Sequence, residues 1–200
     1  MRTPRLAKTT FIWLAALLLP ACASVPVDTP VAVDTDQQRI TQLTRDVLDL
    51  GDAVDPYEAR LAATVAIRYS RELAQRYQIS GSALSHNLKV NLGIRERGLC
   101  IHWTEDLLAR LEQENFQTLE LHWAIANYEN AFRLEHSTVV ISAPKRTIYD
   151  GLVLDPWRNT GELYWSPTLA DNKYPWKPYD DVMALKRIDQ AAVEERQSLR

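Results

Sequence analysis

The hydrophobic period of this chain changes once, near Asn115, and that change limits what it can fold into. Before it, apolar residues recur every three or four positions, as on one face of a helix; after it they alternate, as on a strand. From Asp36 onward, Ile40, Leu43, Val47 and Leu50 keep helical spacing until Gly51 stops the run. A second helix opens at Asp55-Pro56-Tyr57-Glu58, where Asp55 can cap, Pro56 suits the first helical position and Glu58 can reach back in a capping box. Its buried stripe is expected at Leu61, Ala62, Val65, Ala66, Tyr69 and Leu73. Leu84, Leu88 and Leu92 predict a third, short helix closed by Gly93. After the turn 95–98, the segment from Leu99 to Leu111 reads as a loop entering a helix, which starts either near Cys100 or at Thr104, itself a capping residue.

Beyond the change of period, Leu119, Leu121, Trp123 and Ile125 alternate with Glu120, His122 and Ala124. A second strand is expected from Phe132 to Ala143 and a third from Tyr149 to Leu154, where Asp155-Pro156 ends the pairing. Helices first and an antiparallel meander second predict an α+β domain with Cys100 at the junction.

The amino-terminal segment is an address. Met1 to Lys8 holds Arg2, Arg5 and Lys8 and no acid, and Phe11 to Leu19 is apolar but far short of the ~20 residues that span a hydrocarbon core. The tetrapeptide Leu19-Pro20-Ala21-Cys22 at its end resembles the lipobox of bacterial lipoproteins. The resemblance implies removal of the signal peptide 1–21, lipidation at Cys22 and a lipid anchor in the membrane. Because Ala23 rather than Asp follows the cysteine, it also implies the outer membrane of a two-membrane bacterium, with the domain facing the periplasm. Each buried acyl methylene contributes about 0.8 kcal/mol, so several chains hold firmly. An ordinary secretory signal with an incidental cysteine is the alternative. Residues 22–38, with Pro26 and Pro30, read as a spacer. That leaves 39–200 as a single domain, large enough for a true core.

The formal net charge is −3, and cleavage would remove three basic residues and no acidic one. This argues against nucleic acid as a partner.

There are two cysteines. If Cys22 carries lipid, Cys100 stands alone in a compartment that favours disulfides, either as a buried inert thiol or as one kept for chemistry. Three segments line up in order: Gly98-Leu99-Cys100 at a helix entrance, Glu135-His136-Ser137-Thr138-Val139-Val140 on a strand, and Gly151-Leu152-Val153-Leu154-Asp155-Pro156 on the next. Over residues 95–157 this resembles the papain-like core, and within it the transglutaminase-like superfamily most closely. The resemblance implies Cys100 as nucleophile, His136 as base and Asp155 as its orienting carboxylate. Two positions depart from the superfamily's pattern: Thr138 stands where Trp is usual two residues after the histidine, and Trp157 where Thr often comes after Asp-Pro.

The chemistry explains the residue types. A thiol attacks a carbonyl as thiolate, which a helix N-terminus and an imidazolium both favour, while a carboxylate fixes the tautomer of the histidine. Other readings stay open. His122 also lies on a strand beside an aromatic and competes as base, His86 is expected on a solvated helix face, and Leu154-Asp155-Pro156 is also an ordinary strand ending. Cys100, His102, His122 and His136 could surround a metal, although only Cys100-Ile101-His102 forms a close pair. No cofactor is indicated.

Between Trp157 and Tyr179, six aromatic residues interleave with prolines. They form either an aromatic-walled groove or, the preferred reading, a strap of buried rings across the sheet. Trp103 and Trp157 are the candidate substrate contacts, Trp157 because it adjoins Asp155. Val182, Leu185 and Ile188 predict a final amphipathic helix. Two functions fit. One is an envelope thiol hydrolase or acyltransferase acting on an envelope protein or a cell-wall peptide. The other is a non-catalytic lipoprotein of the same fold that binds a partner.

Overall fold

A computed structural model describes residues 35–130 and 132–198. Cys22 and the cleavage site lie outside the described residues. Five helices and five strands are present among them: α1 Thr35–Leu48, α2 Pro56–Arg76, α3 Ala83–Asn91, α4 Cys100–Glu112, β1 Glu120–Ala126, β2 His136–Ser142, β3 Leu152–Asp155, β4 Tyr164–Pro167, β5 Lys177–Pro178 and α5 Tyr179–Ser198. The strands form one antiparallel sheet in the order β4-β3-β2-β1-β5, so the chain is α+β as its changing period predicts. Helix α1 begins at Thr35, inside the stretch 22–38 expected as spacer.

Asp55 caps α2, its carboxylate accepting from the N–H groups of Tyr57 and Glu58 at 2.9 and 3.0 Å. Glu58 does not close a capping box. Its carboxylate instead accepts from the N–H groups of Gln117 and Thr118, both at 2.8 Å, and from the Thr118 hydroxyl at 2.6 Å, tying the helix to the approach of β1. The buried face of α2 is also wider than the expected stripe, because Ala59, Ala63, Ile67 and Ser70 are buried too. That face meets α1, α4 and the sheet face bearing Val139, Ile141, Leu152 and Leu154, which together make the main core.

Helix α3 is turned the opposite way from its leucines. Leu84, Leu88 and Leu92 are 64, 59 and 65 % exposed, while Ala83, His86 and Asn87 are buried. His86, expected on a solvated face, is wholly buried because its Nε2 bonds to Arg97 O at 3.0 Å and its ring packs on Gly98.

Two strands are shorter than the alternation suggests. β2 starts at His136, not Phe132, and Phe132 is fully exposed in the preceding turn. β3 starts at Leu152, since Ile148–Asp150 forms a 3₁₀ turn first, with Thr147 capping it. The aromatic tail contributes both edge strands, and between them Tyr174 and Trp176 are buried against Ala124, Ala126, Val140 and Val153 on the second sheet face. Trp157, Tyr174 and Trp176 are thus buried as a strap of rings would be, whereas Tyr164, Trp165 and Tyr179 are half-buried. In α5 Val182 is buried, whereas Leu185 and Ile188 are largely exposed. Among the described residues no helix is long and apolar enough to cross a membrane.

Candidate active site

Cys100 is the first residue of α4, and Thr104 is not the cap. The Thr104 hydroxyl instead donates back to Cys100 O at 3.0 Å and meets Ser137 Oγ at 3.1 Å, which fastens the first turn of α4 to β2. The loop before it is held just as closely. His102 Nδ1 accepts from the N–H groups of Gly98 and Leu99 at 3.1 and 3.3 Å, and Trp103 Nε1 donates to Gly98 O at 3.0 Å. Gly98 has φ +126°, and a Cβ there would lie 2.4 Å from the His86 ring. Only glycine satisfies both the backbone and the close approach. Leu99 has no side-chain acceptor to cap the helix, so the first N–H groups of α4, beginning with that of Cys100, have no side-chain cap.

His136 begins β2 and Asp155 ends β3. Val139 pairs with Leu154 and Val140 with Val153, and this register carried one step further sets Thr138 opposite Asp155. His136 and Asp155 are therefore diagonal neighbours on one sheet face. Their side chains meet, His136 Nε2 lying 2.7 Å from Asp155 Oδ2, with relative exposures of 1 and 0 %. An ionised carboxylate only accepts, so Nε2 carries hydrogen and, in the neutral ring, Nδ1 holds the lone pair. Thr138 Oγ1 donates to Leu154 O at 2.8 Å and holds the two strands at this point.

Nδ1 is buried and makes no hydrogen bond of ordinary geometry among the described residues. Cys100 is nonetheless the group next to Asp155 in its effect on the ring. Burial opposes a charged His136, but the charge and hydrogen bond of Asp155, aided by those of Cys100, overcome it and raise the pKa from 6.5 to about 9. The Cys100 thiol also reaches Glu135 O, at 3.7 Å, so α4 presents it at the start of β2. Cys100 thus lines one cavity with His136, and Asp155 holds the ring by its other nitrogen.

Asp155 is itself supported by residues the sequence did not single out. Arg158 donates its Nε to Oδ2 at 3.0 Å and its backbone N–H to Oδ1 at 3.1 Å. It then grips Asp171 with both terminal nitrogens, at 3.2 and 2.6 Å, and Trp176 Nε1 donates to Asp171 Oδ2 at 2.9 Å. Burial would raise both carboxyls, yet His136 and Arg158 hold Asp155 below its ordinary range, and Arg158 with Trp176 does the same for Asp171. The guanidinium lies over Tyr164 and Tyr174, 3.7 and 4.8 Å from the ring centroids. The only available signal for Arg158 was its place three residues after Asp155; nothing local pointed to Asp171.

The aromatic wall over His136 comes from the tail. Trp157, Tyr174 and Trp176 have ring centroids 4.6, 4.6 and 5.3 Å from that of the histidine. Trp157 lines a cavity of about 390 Å³ with His136, Leu134, Arg133 and Lys173. Cys100 lines a neighbouring, more apolar cavity of about 410 Å³ with His136, Leu134, Trp123, Ile125 and Met183. Trp103 lines neither. It is 1 % exposed, edge-on to Tyr77 at 5.0 Å, and its indole N–H is spent on Gly98, so it supports the loop and does not contact a substrate.

The competing assignments come apart in space. His122 Nε2 bonds to Ser142 Oγ at 2.8 Å, and it lies four residues along β1 from Ala126, the partner of His136. That is about 13 Å at the rise of a strand. His102 is turned onto the Gly98 and Leu99 amides. Among the described residues no three of His, Cys, Asp and Glu converge to hold a metal ion.

Comparison of the chain with protein-family models, with curated proteins and with solved structures finds no match.

Proposed function

We propose that this chain is a thiol hydrolase or acyltransferase with a papain-like, transglutaminase-like core, tethered in the cell envelope by lipid on Cys22 and acting on an amide of an envelope protein or cell-wall peptide. The observation that supports the reading is the fully buried His136–Asp155 pair, which leaves Nδ1 without a hydrogen bond among the described residues while Cys100 lines the same cavity as the ring.

In this mechanism the Cys100 thiol proton already rests on His136 Nδ1, the sulfur attacks the carbonyl carbon as thiolate, and the carbonyl electron pair moves onto oxygen. The intermediate collapses, the C–N bond breaks, and His136 returns the proton to the leaving amine. A thioester remains on Cys100. Water or a second amine then loses a proton to His136, attacks the thioester and releases the thiol. Asp155 keeps Nε2 protonated throughout, and Arg158 keeps Asp155 ionised. A ring that holds its proton to about pH 9 is a stronger stabiliser of an adjacent negative sulfur than an ordinary histidine.

The test is alkylation by iodoacetamide at neutral pH, followed by mass spectrometry at Cys100. His136→Ala should slow it by about tenfold or more, and His122→Ala should leave it unchanged. A rate indifferent to His136 would leave a binding module with a structural cysteine.

A further inference from the structure

The chain holds 26 acidic residues against 23 lysines and arginines, yet one of the two cavities flanking His136 is lined by the minority sign. Arg133, Arg158 and Lys173 line the cavity of about 390 Å³, and among the described residues no Asp or Glu does. The charge of Arg158 is already matched by Asp155 and Asp171. Arg133 and Lys173 have no carboxylate partner among the described residues.

Both are nonetheless held in place. A terminal nitrogen of Arg133 donates to Lys173 O at 3.1 Å and fastens the loop before β2 to the tail. A guanidinium has five N–H donors, so most of the fork remains available. The Lys173 backbone N–H donates to Asp171 Oδ1 at 3.2 Å, and its Nζ lies 5.4 Å from the Tyr174 ring centroid. Two cationic residues are thus brought together with no carboxylate to offset them, an arrangement that attracts an anion.

The neighbouring cavity has the opposite character. In that space of about 410 Å³, Glu135 and Lys186 neutralise each other at 2.6 Å, and Trp123, Ile125, Tyr179 and Met183 supply an apolar wall. Of the two cavities Cys100 lines only this one, whereas Leu134 and His136 line both. That division orients a substrate. The carbonyl carbon must reach the sulfur, and the leaving nitrogen must reach the imidazole that protonates it. The acyl part therefore lies in the apolar cavity, and the leaving part runs past His136 and Trp157 into the cationic one.

We propose that the cationic cavity is the leaving-group subsite and that Arg133 and Lys173 select amides whose leaving peptide carries a carboxylate. The inference rests on the thioester reading given above and names its substrate class, an acidic peptide. The carboxylate takes no part in bond breaking. The C–N bond breaks, the amine departs with the proton from His136, and the two cations hold the anion on that side throughout.

The experiment acylates the full chain, purified in detergent, with three esters: p-nitrophenyl acetate, its analogue with a carboxylate on the nitrophenol ring, and p-nitrophenyl hemisuccinate, whose carboxylate is on the acyl side. Each rate is divided by that of the same ester with a free cysteine derivative, which removes intrinsic reactivity. The carboxylate on the leaving group should raise the normalised rate about tenfold over the acetate, and the one on the acyl group should not. Arg133→Gln combined with Lys173→Met should bring that ratio to about one, and Arg133→Lys should retain part of it. Raising salt from about 50 to about 500 mM should shrink the preference in the unaltered protein, and this measurement decides where the double variant does not fold. A ratio near one in the unaltered protein overturns the proposal, as does a preference that survives the double substitution or is indifferent to salt. A preference for the hemisuccinate places the anion on the acyl side and overturns it equally. If the unaltered chain alkylates at Cys100 but is acylated by none of the three esters, the thioester reading falls and takes this inference with it.

Discussion

Nε2 of His136 stands 2.7 Å from Oδ2 of Asp155 at the diagonal between β2 and β3, and that contact decides which ring nitrogen remains for chemistry. Asp155→Asn keeps the shape but offers an amide that can bind either tautomer. The expected outcome is a loss of acylation by p-nitrophenyl acetate of up to about 10⁴-fold, with cooperative unfolding retained. Unfolding monitored by circular dichroism separates this from a collapsed site.

Stability should follow the same pair. His136 is protonated up to about pH 9 when folded against 6.5 in the unfolded chain, so its contribution is complete below about 6.5 and lost as pH rises to about 9. Asp155 behaves the opposite way: its carboxyl is lowered from 3.8, so its contribution is present above that value and lost as pH falls through the lower folded value. The Tm should therefore hold steady between these windows and decline on the alkaline side from 6.5 to 9. His136→Gln should flatten that alkaline decline. A Tm of the unaltered protein that is level across the alkaline window would show that the ring is not charged in the fold.

Arg158 bridges Asp155 and Asp171 with a side chain only 8 % exposed. Replacing it with Met leaves buried Asp171 without its cation and Asp155 with His136 alone, a loss on the order of 3–5 kcal/mol in urea unfolding. Arg158→Lys should recover little, because an ammonium cannot reach both carboxylates in a planar fork or lie flat over Tyr164 and Tyr174.

The elements that hold the site could be read from period and punctuation, and the residues that support it could not. Asp55 before Pro56, the alternation from Leu119 and the stop at Asp155-Pro156 are local signals, and the corresponding cap, strand and strand end are present. Cys100, His136 and Asp155 were nameable together only through a resemblance carried by three short motifs, each at the end of an element. Asp171, 16 positions after Asp155, and Asn87, 70 positions before Trp157, are joined to the site by side-chain bonds that exist only once α3 and the tail have closed over the sheet. No periodicity encodes such contacts. The aromatic tail failed as a strand signal for a related reason: β4 and β5 are 4 and 2 residues long, too short to show alternation.

Helix α3 gives the sharpest conflict between pattern and packing, and a prediction that separates them. By pattern, Leu84, Leu88 and Leu92 are its anchor; in the fold they face outward, and His86 and Asn87 face in. Leu88→Ser should therefore change stability by no more than about 0.5 kcal/mol, as expected of an exposed site. His86→Ala should cost about 2 kcal/mol or more, because it empties a buried site and leaves Arg97 O without its partner. It should also slow acylation at Cys100, since the His86 ring is what Gly98 packs against two residues before the nucleophile. Gly98→Ala should be more damaging still, placing a Cβ 2.4 Å from that ring at φ +126°. Combining it with His86→Ala relieves the clash and not the backbone strain, so the double variant should be more stable than the sum of the two single losses predicts. Urea unfolding of the four proteins measures this directly. Losses that simply add would mean that His86 and Gly98 act independently, and a Leu88→Ser loss as large as that of His86→Ala would mean that the leucine face is covered in the folded protein.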